Sequence, residues 1–108
     1  MGEQPRNEVR IAGELIERAA QRFTPAGVPV VNFTLRHVSR QAEAAALRQV
    51  DCEIQAVVLG QDSEFIAAAP LGTGLELSGF LAAKSLRNRQ TVLHVTHIEF
   101  LEGPDNGI

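Results

Sequence analysis

The sequence contains no tryptophan, no tyrosine and a single cysteine, Cys52, among its 108 residues. One cysteine cannot form an internal disulfide, which fits a chain that works in a reducing compartment. No segment approaches the roughly 18 uninterrupted apolar residues of a membrane-spanning helix. The polar start, Met1-Gly-Glu-Gln-Pro-Arg6, has no apolar segment after it and is not a secretory signal. These absences predict a cytoplasmic protein with no membrane contact.

The sequence also lacks any combination of nucleophile, base and orienting group that would indicate catalysis. Cys52 is predicted to face the core, where a thiol behaves as a small apolar group. His94 and His97 are three apart on a predicted strand, so they would point to opposite faces and share no metal ion unless the strand is bulged. The glycines of residues 71–75 lead from helix to strand, whereas a phosphate-binding loop leads from strand to helix. We therefore expect no enzyme activity, no cofactor and no metal.

The order of the predicted elements is the most informative feature that is present. Five segments alternate apolar and polar residues with the period of a strand: 9–15, 29–38, 49–59, 75–84 and 91–101. One short helix, residues 62–69, lies between the third and fourth strands and ends before Pro70. This order predicts an all-β fold, the five-stranded Greek-key barrel called the OB-fold, which usually binds oligonucleotides on its second and third strands.

A single OB-fold domain is expected at residues 7–102, with flexible ends at 1–6 and 103–108. The alternation predicts the barrel core. Its members are Val9, Ile11, Leu15, Val31, Phe33, Leu35, Val50, Cys52, Ile54, Ala56, Val58, Leu75, Leu77 and Leu81, with Phe65, Ile66 and Ala69 of the helix closing one end. The alanine-rich residues 39–48 are predicted to be a mobile loop, since so short a helix is marginal in water.

The last predicted strand is apolar on both of its faces. Leu93, Val95 and Leu101 would lie on one face, and Val92, Ile98 and Phe100 on the other. A small barrel has only one interior, so a strand that is apolar on both sides indicates a second burying surface. The simplest such surface is another copy of the chain, and we expect a homodimer.

The net charge is −3, yet the basic residues are concentrated in two segments. Residues 36–48 hold Arg36, Arg40 and Arg48 against Glu43, and residues 84–89 hold Lys84, Arg87 and Arg89 with no acidic residue. A local basic patch attracts nucleic acid even on an acidic protein, because binding depends on the electrostatic field at the docking surface and not on the net charge of the whole chain. The alternative is that either cluster is an ordinary solvated loop, since charged loops are common.

Several segments resemble a known family in their order and spacing. They are Asn7–Gly13, Pro25–Pro29, Phe33–His37, Arg48-Gln49 with Cys52, and Gly72–Phe80. Together they are similar to PriB, the family of bacterial primosomal replication protein N, over roughly residues 7–101. The resemblance implies a homodimeric OB-fold protein that binds single-stranded DNA and the primosomal helicase when stalled replication forks restart.

By position, the resemblance assigns DNA contacts to Arg36 and Arg48 and a basic loop to Lys84, Arg87 and Arg89; Arg40 joins them on charge alone. The best-known family member has a phenylalanine and a tryptophan where this chain has Ala46 and Asp51. Because each base stacked on an aromatic side chain contributes about 1–3 kcal/mol, we expect weak, mainly electrostatic binding. The alternative function is a protein-interaction adaptor of the primosome, for which DNA contact is incidental.

Overall fold

The computed structural model describes residues 4–101. Its elements are β1 (Val9–Arg18), β2 (Arg22–Phe23), β3 (Pro29–Glu43), β4 (Ala46–Leu59), α1 (Ser63–Ala68), β5 (Gly74–Ala83) and β6 (Thr91–Phe100). The five long strands and the helix are the predicted elements, with β2 as a two-residue addition that pairs with the start of β3. Asp62 is the N-cap of α1, but its side chain makes no capping hydrogen bond.

The strands form one sheet in the order β1-β5-β6-β4-β3-β2, and a further pairing of β1 with β3 closes it into a barrel. All neighbouring strands are antiparallel except β4 and β6, whose parallel pairing spans Ala56–Val58 and Leu93–Val95. This is the order of a five-stranded Greek-key barrel, in which α1 connects β4 to β5. The predicted OB-fold is therefore confirmed.

The barrel interior is filled by apolar side chains from every long strand and by two residues at the helix. The buried cluster consists of Leu15, Val31, Phe33, Leu35, Ala56, Val58, Ile66, Ala69, Leu75, Leu77, Leu93 and Val95. Val9, Ile11, Ile54, Leu81 and Ile98 pack partly buried against it. The predicted faces of β1, β3 and β5 are thus confirmed, because strand alternation alone determines them.

Two glycines allow the barrel strands to approach closely. A Cβ atom on Gly13 would lie 2.2 Å from the carbonyl oxygen of Arg36, where β1 leaves β5 and begins to pair with β3. A Cβ atom on Gly79 would lie 1.9 Å from the carbonyl oxygen of His94. Both separations are far below van der Waals contact, so these positions require glycine.

The predicted mobile loop at 39–48 is wrong, because these residues extend β3 and β4 into a hairpin. The pairing continues without interruption from His37 and Cys52 to Glu43 and Ala46, and we call residues 37–52 the arm. Ala44 and Ala45 form the tip with positive φ angles of 53° and 66°. The radius of gyration is 15.5 Å, against about 13 Å for a compact chain of this length, which agrees with an arm that leaves the barrel. Cross-strand pairing has overridden the helical preference of alanine.

Three side chains assigned to the core are not in it. Val50 is only half-buried and lies in the arm, apart from the core cluster. Cys52 is exposed because it lies at the base of the arm, where its strand has left the barrel, although it shares the alternation of Ile54 and Val58. Phe65 is 53% exposed. Its ring instead meets that of Phe100 edge to face, with 6.4 Å between the ring centroids.

A bulge at Thr96 explains most of the two-sided apolar pattern of β6. The pairing with β5 shifts there, since Gly79 lies opposite Val95 and Ser78 lies opposite His97. The extra residue reverses the alternation, so Leu93 and Val95 before it and Ile98 after it all pack on the same core. The homodimer prediction therefore loses part of its basis, and the oligomeric state stays a prediction.

The predicted domain, residues 7–102, ends one residue after the last described position. The expected flexible ends, 1–6 and 103–108, fall partly or wholly outside the described residues. Across residues 4–101, no helix has the length and apolar character needed to span a membrane.

Candidate nucleic-acid interface

The outer face of the sheet carries the surface relevant to binding. Alternation and register place even-numbered residues of β3 opposite odd-numbered residues of β4 on this side, including Arg36 opposite Glu53 and Asn32 opposite Val57. Through the parallel pairing, His94 lies beside Val57 on the same face. The outer face therefore runs continuously from the arm across β3, β4 and β6 to β5.

Arg36 and Asp51 form an ion pair on this face at the base of the arm. The distance from Nη2 of Arg36 to Oδ2 of Asp51 is 2.9 Å, and both side chains are about half exposed. The hydrogen bond from the guanidinium lowers the pKa of Asp51 below its ordinary value of 3.8 and raises the pKa of Arg36. Asp51 stands where the best-known member of the family has a tryptophan. It forms an ion pair with Arg36, one of the arginines predicted to contact DNA.

The other predicted arginines of the arm are divided between its two faces. Arg40 pairs with Gln49 and lies on the outer face, whereas Arg48 pairs with Gln41 and points to the opposite side. Arg48 also forms an ion pair with Glu43, with 3.0 Å between Nη1 and Oε1. The structure therefore brings Arg36 and Arg40 together on one face but separates Arg48 from them.

The second basic cluster lies at the end of β5. The backbone N–H of Lys84 donates to the carbonyl oxygen of Gln90, and that of Ser85 donates to Asn88, so residues 84–90 form a compact turn. Arg87 and Arg89 lie in this turn and are exposed. Within residues 4–101, no carboxylate lies within 4.0 Å of the charged groups of Arg40, Lys84, Arg87 or Arg89.

A groove of about 470 Å³ crosses the outer face between this turn and β2. Its floor contains Val30, Val57 and Val92, which form a second buried apolar cluster outside the barrel. Its rim carries Arg22 and Lys84 at opposite sides, with the polar side chains of Asn32, Gln55, Gln90 and His94 between them. Sequence reasoning missed this groove, because its residues come from four strands and meet only through the sheet register.

Phe80 and His94 form the aromatic contact that the sequence analysis did not foresee on this face. They are paired across β5 and β6. Their rings are 5.2 Å apart between centroids and only 5° from parallel. Phe80 is 42% exposed, and His94 is half-buried and lines the groove. Only the pairing register could have revealed this stack, since the two residues are far apart in the sequence.

The bulge at Thr96 also overturns the reasoning about the two histidines. His94 lies opposite Phe80 and His97 opposite Ser78, so both histidines are on the outer face. Nε2 of His97 lies 3.7 Å from Oε2 of Glu99, and His94 is stacked on Phe80. Among the described residues, no three His, Cys, Asp or Glu side chains are positioned to hold a metal ion.

Comparison with known families agrees with this fold and surface. Residues 7–97 match the model of a family described as another single-strand binding protein family. The wild-type single-stranded DNA binding protein of Thermus aquaticus superposes with a TM-score of 0.70 at 23% identity, over 91% of this chain and 51% of that one. At this identity the superposition supports the fold alone. The fold and the family model together define an OB-fold protein of the single-strand binding class.

More similar relatives define the group within that class. The replication restart protein PriB of Nitrosomonas europaea is 38% identical over 83% of each chain, and that of Bordetella pertussis is 34% identical over 90% of this chain and 91% of its own. The structure of priB from Ralstonia solanacearum superposes with a TM-score of 0.80 at 35% identity, over 90% of this chain and all of the other. The chain belongs to the PriB family of replication restart proteins. These relatives are named for replication restart and not for a catalytic activity, in agreement with the prediction that this chain is not an enzyme.

Proposed function

We propose that this chain binds single-stranded DNA without base specificity along its outer face, as an accessory protein of replication restart in the cytoplasm. Membership of the PriB family supports the role in replication restart, and the match to the single-strand binding family supports single-stranded DNA as the ligand. The sugar-phosphate backbone would run from Arg36 and Arg40 at the arm toward Lys84, Arg87 and Arg89 in the turn after β5. Arg48, on the other side of the arm, would contribute least.

The observation that carries this proposal is the groove between two basic residues on the outer face. Lys84 and Arg22 lie on opposite sides of an apolar floor, and neither has a carboxylate within 4.0 Å among the residues described. Phosphates are attracted electrostatically, whereas unpaired bases lose contact with water on an apolar surface. A cationic rim around an apolar floor suits a ligand that has both parts.

Fluorescence anisotropy of a labelled oligo-dT tests the proposal directly. Titrations at low and moderate salt should give an affinity that falls with log salt, because each phosphate contact releases about 0.7 counterions from a single strand. Lys84→Ala should weaken binding and make the slope shallower by about 0.7. Wild-type protein that fails to bind at low salt would refute the proposal.

The second candidate is a primosomal adaptor that mainly grips the helicase. The ion pairs at Arg36 and Arg48 favour it, since two of the six predicted DNA contacts are already neutralised by Asp51 and Glu43. Helicase binding is part of both candidates, and pull-down with the purified helicase in the absence of DNA measures it. Retention of the helicase together with undetectable oligo-dT binding would select the adaptor function.

We also propose that the chain is a homodimer. The edge of β1 supports this, because Val9–Gly13 form strand pairs only with β5 within the described part of the chain. On the other side of the strand no second strand pairs with these residues, although the carbonyl oxygen of Ala12 contacts Nδ1 of His37 at 2.6 Å. An open strand edge offers unpaired backbone groups to another chain. Size exclusion with light scattering gives the mass, and a stable peak near the 11.7 kDa of one chain would exclude the dimer.

A further inference from the structure

We propose that the groove on the outer face is a nucleobase site in which one base of the single strand stacks on the ring of His94, supported from behind by Phe80. This inference rests on the proposed single-strand binding and adds a defined site to it. It also changes the expected character of binding. The chain has no aromatic residue at positions 46 and 51, but it does present an aromatic surface on the outer face.

The geometry of the stack determines which ring surface is available. One face of the His94 ring lies against Phe80, nearly parallel to it. Because His94 also lines the groove and Phe80 does not, the free face of the imidazole is the one turned toward the groove. A base that enters would lie between this ring face and the apolar floor made by Val57 and Val92.

The groove also matches the other parts of a nucleotide. Gln55 and Asn32 offer amide groups that can meet the polar edge of a base, and the amide oxygen of Asn32 already accepts from Arg22 at 3.0 Å. Lys84 and Arg22 lie on the rim, where the phosphates on either side of an inserted base would pass. An amide contact that tolerates different edges would leave the site without base specificity.

Two histidine variants separate stacking from charge and from general effects on β6. His94→Ala removes the stacking surface. His97→Ala is the matched control, because it changes the same residue type on the same strand and face, one bulge away and outside the groove. We expect His94→Ala to weaken oligo-dT binding about five- to tenfold, the lower part of the range for one stacked base. His97→Ala should change it by less than about twofold.

An abasic oligonucleotide of the same length distinguishes this inference from the underlying function. It keeps the phosphates and removes the bases, so wild-type protein should bind it more weakly than oligo-dT, and His94→Ala should bind both equally. If the wild-type protein binds both oligonucleotides equally and His94→Ala leaves the affinity unchanged, the base site is refuted while electrostatic DNA binding remains. Wild-type protein that binds neither would refute the proposed function itself.

A spectroscopic arm keeps the test valid if His94→Ala perturbs folding. The chain has no tryptophan, so Phe80→Trp introduces a unique fluorophore beside His94, and Phe65→Trp places one on the exposed aromatic pair at α1. Oligo-dT should change the emission of Phe80→Trp and not that of Phe65→Trp. Equal responses, or no response at position 80 while anisotropy reports binding, would contradict the site.

Discussion

Removal of the carboxylate of Asp51 is expected to strengthen single-strand binding, because it releases Arg36. In the wild-type protein the guanidinium donates to Asp51 at 2.9 Å, so contact with a phosphate must first break this pair. Asp51→Asn keeps the size of the side chain and removes its charge. The lowered pKa of Asp51 means that the pair is fully formed at neutral pH, where the measurement is made, and is lost only as the pH falls through that lowered value.

The magnitude follows from the number of cations without an acidic partner. Of the cations placed on the DNA path, Arg22, Arg40, Lys84, Arg87 and Arg89 have none within 4.0 Å in residues 4–101. One phosphate each gives a slope of log affinity against log salt of about −3.5, at about 0.7 counterions per contact. Releasing Arg36 in Asp51→Asn adds a contact and brings the slope to about −4.2. Between about 0.05 and 0.2 M salt, the variant should therefore lose about two- to threefold more affinity than the wild type.

The assay is anisotropy of labelled oligo-dT at five or more salt concentrations. Glu64→Gln is the control, since it also removes one carboxylate but lies in the first turn of α1, away from the outer face. It should leave the slope unchanged. A folded Asp51→Asn variant whose slope equals that of the wild type would show that Arg36 is not on the DNA path, and the adaptor function would then be favoured.

Three further outcomes test the fold itself. Gly79→Ala should lower the free energy of unfolding by about 3 kcal/mol, because its Cβ would meet a carbonyl oxygen at 1.9 Å and overpacking has this cost; the melting temperature should fall by about 12 °C. Gly74→Ala is the control in the same strand: its nearest contact is at 3.4 Å, and it should lose less than about 1 kcal/mol of stability. Equal losses in the two variants would contradict the close approach at Gly79. Cys52, being exposed, should react with a thiol reagent as fast in the native protein as in denaturant, whereas protection would mean that it is buried. Ala45→Gly relieves a positive φ of 66° and should slow amide exchange in the arm while the melting temperature changes little; faster exchange would exclude strain at the tip.

The element order and most of the core could be predicted from the sequence because both depend on local alternation. Leu35 and Leu77 each stand between two polar neighbours and are fully buried. The arm could not be predicted in this way. Its alanines favour helix by intrinsic propensity, and only the pairing of one strand with the other makes them extended. The exposure of Cys52 has the same origin, since alternation gives a face but not the point at which a strand leaves the barrel.

The binding face was predicted only in part, for a related reason. The basic residues are visible as clusters in the sequence, but their partners are not: Asp51 neutralises Arg36 across the hairpin. The stack of His94 on Phe80 depends on the register of β5 and β6 and on the bulge at Thr96. One inserted residue reverses the face of every side chain that follows. Features that depend on such pairings require the structure.

The parallel pairing of β4 with β6 has a mechanical consequence for the whole molecule. It joins strands far apart in the chain through only three residue pairs, from Ala56–Leu93 to Val58–Val95. Among the strand pairings that close the barrel, it is the shortest. Val57 on one side and His94 on the other both line the groove. Single-stranded DNA bound in the groove would contact both strands and oppose their separation, since a ligand that binds only the closed form stabilises it by mass action. Bound DNA would therefore hold β4 and β6 together, and without DNA the barrel would open first between these two strands.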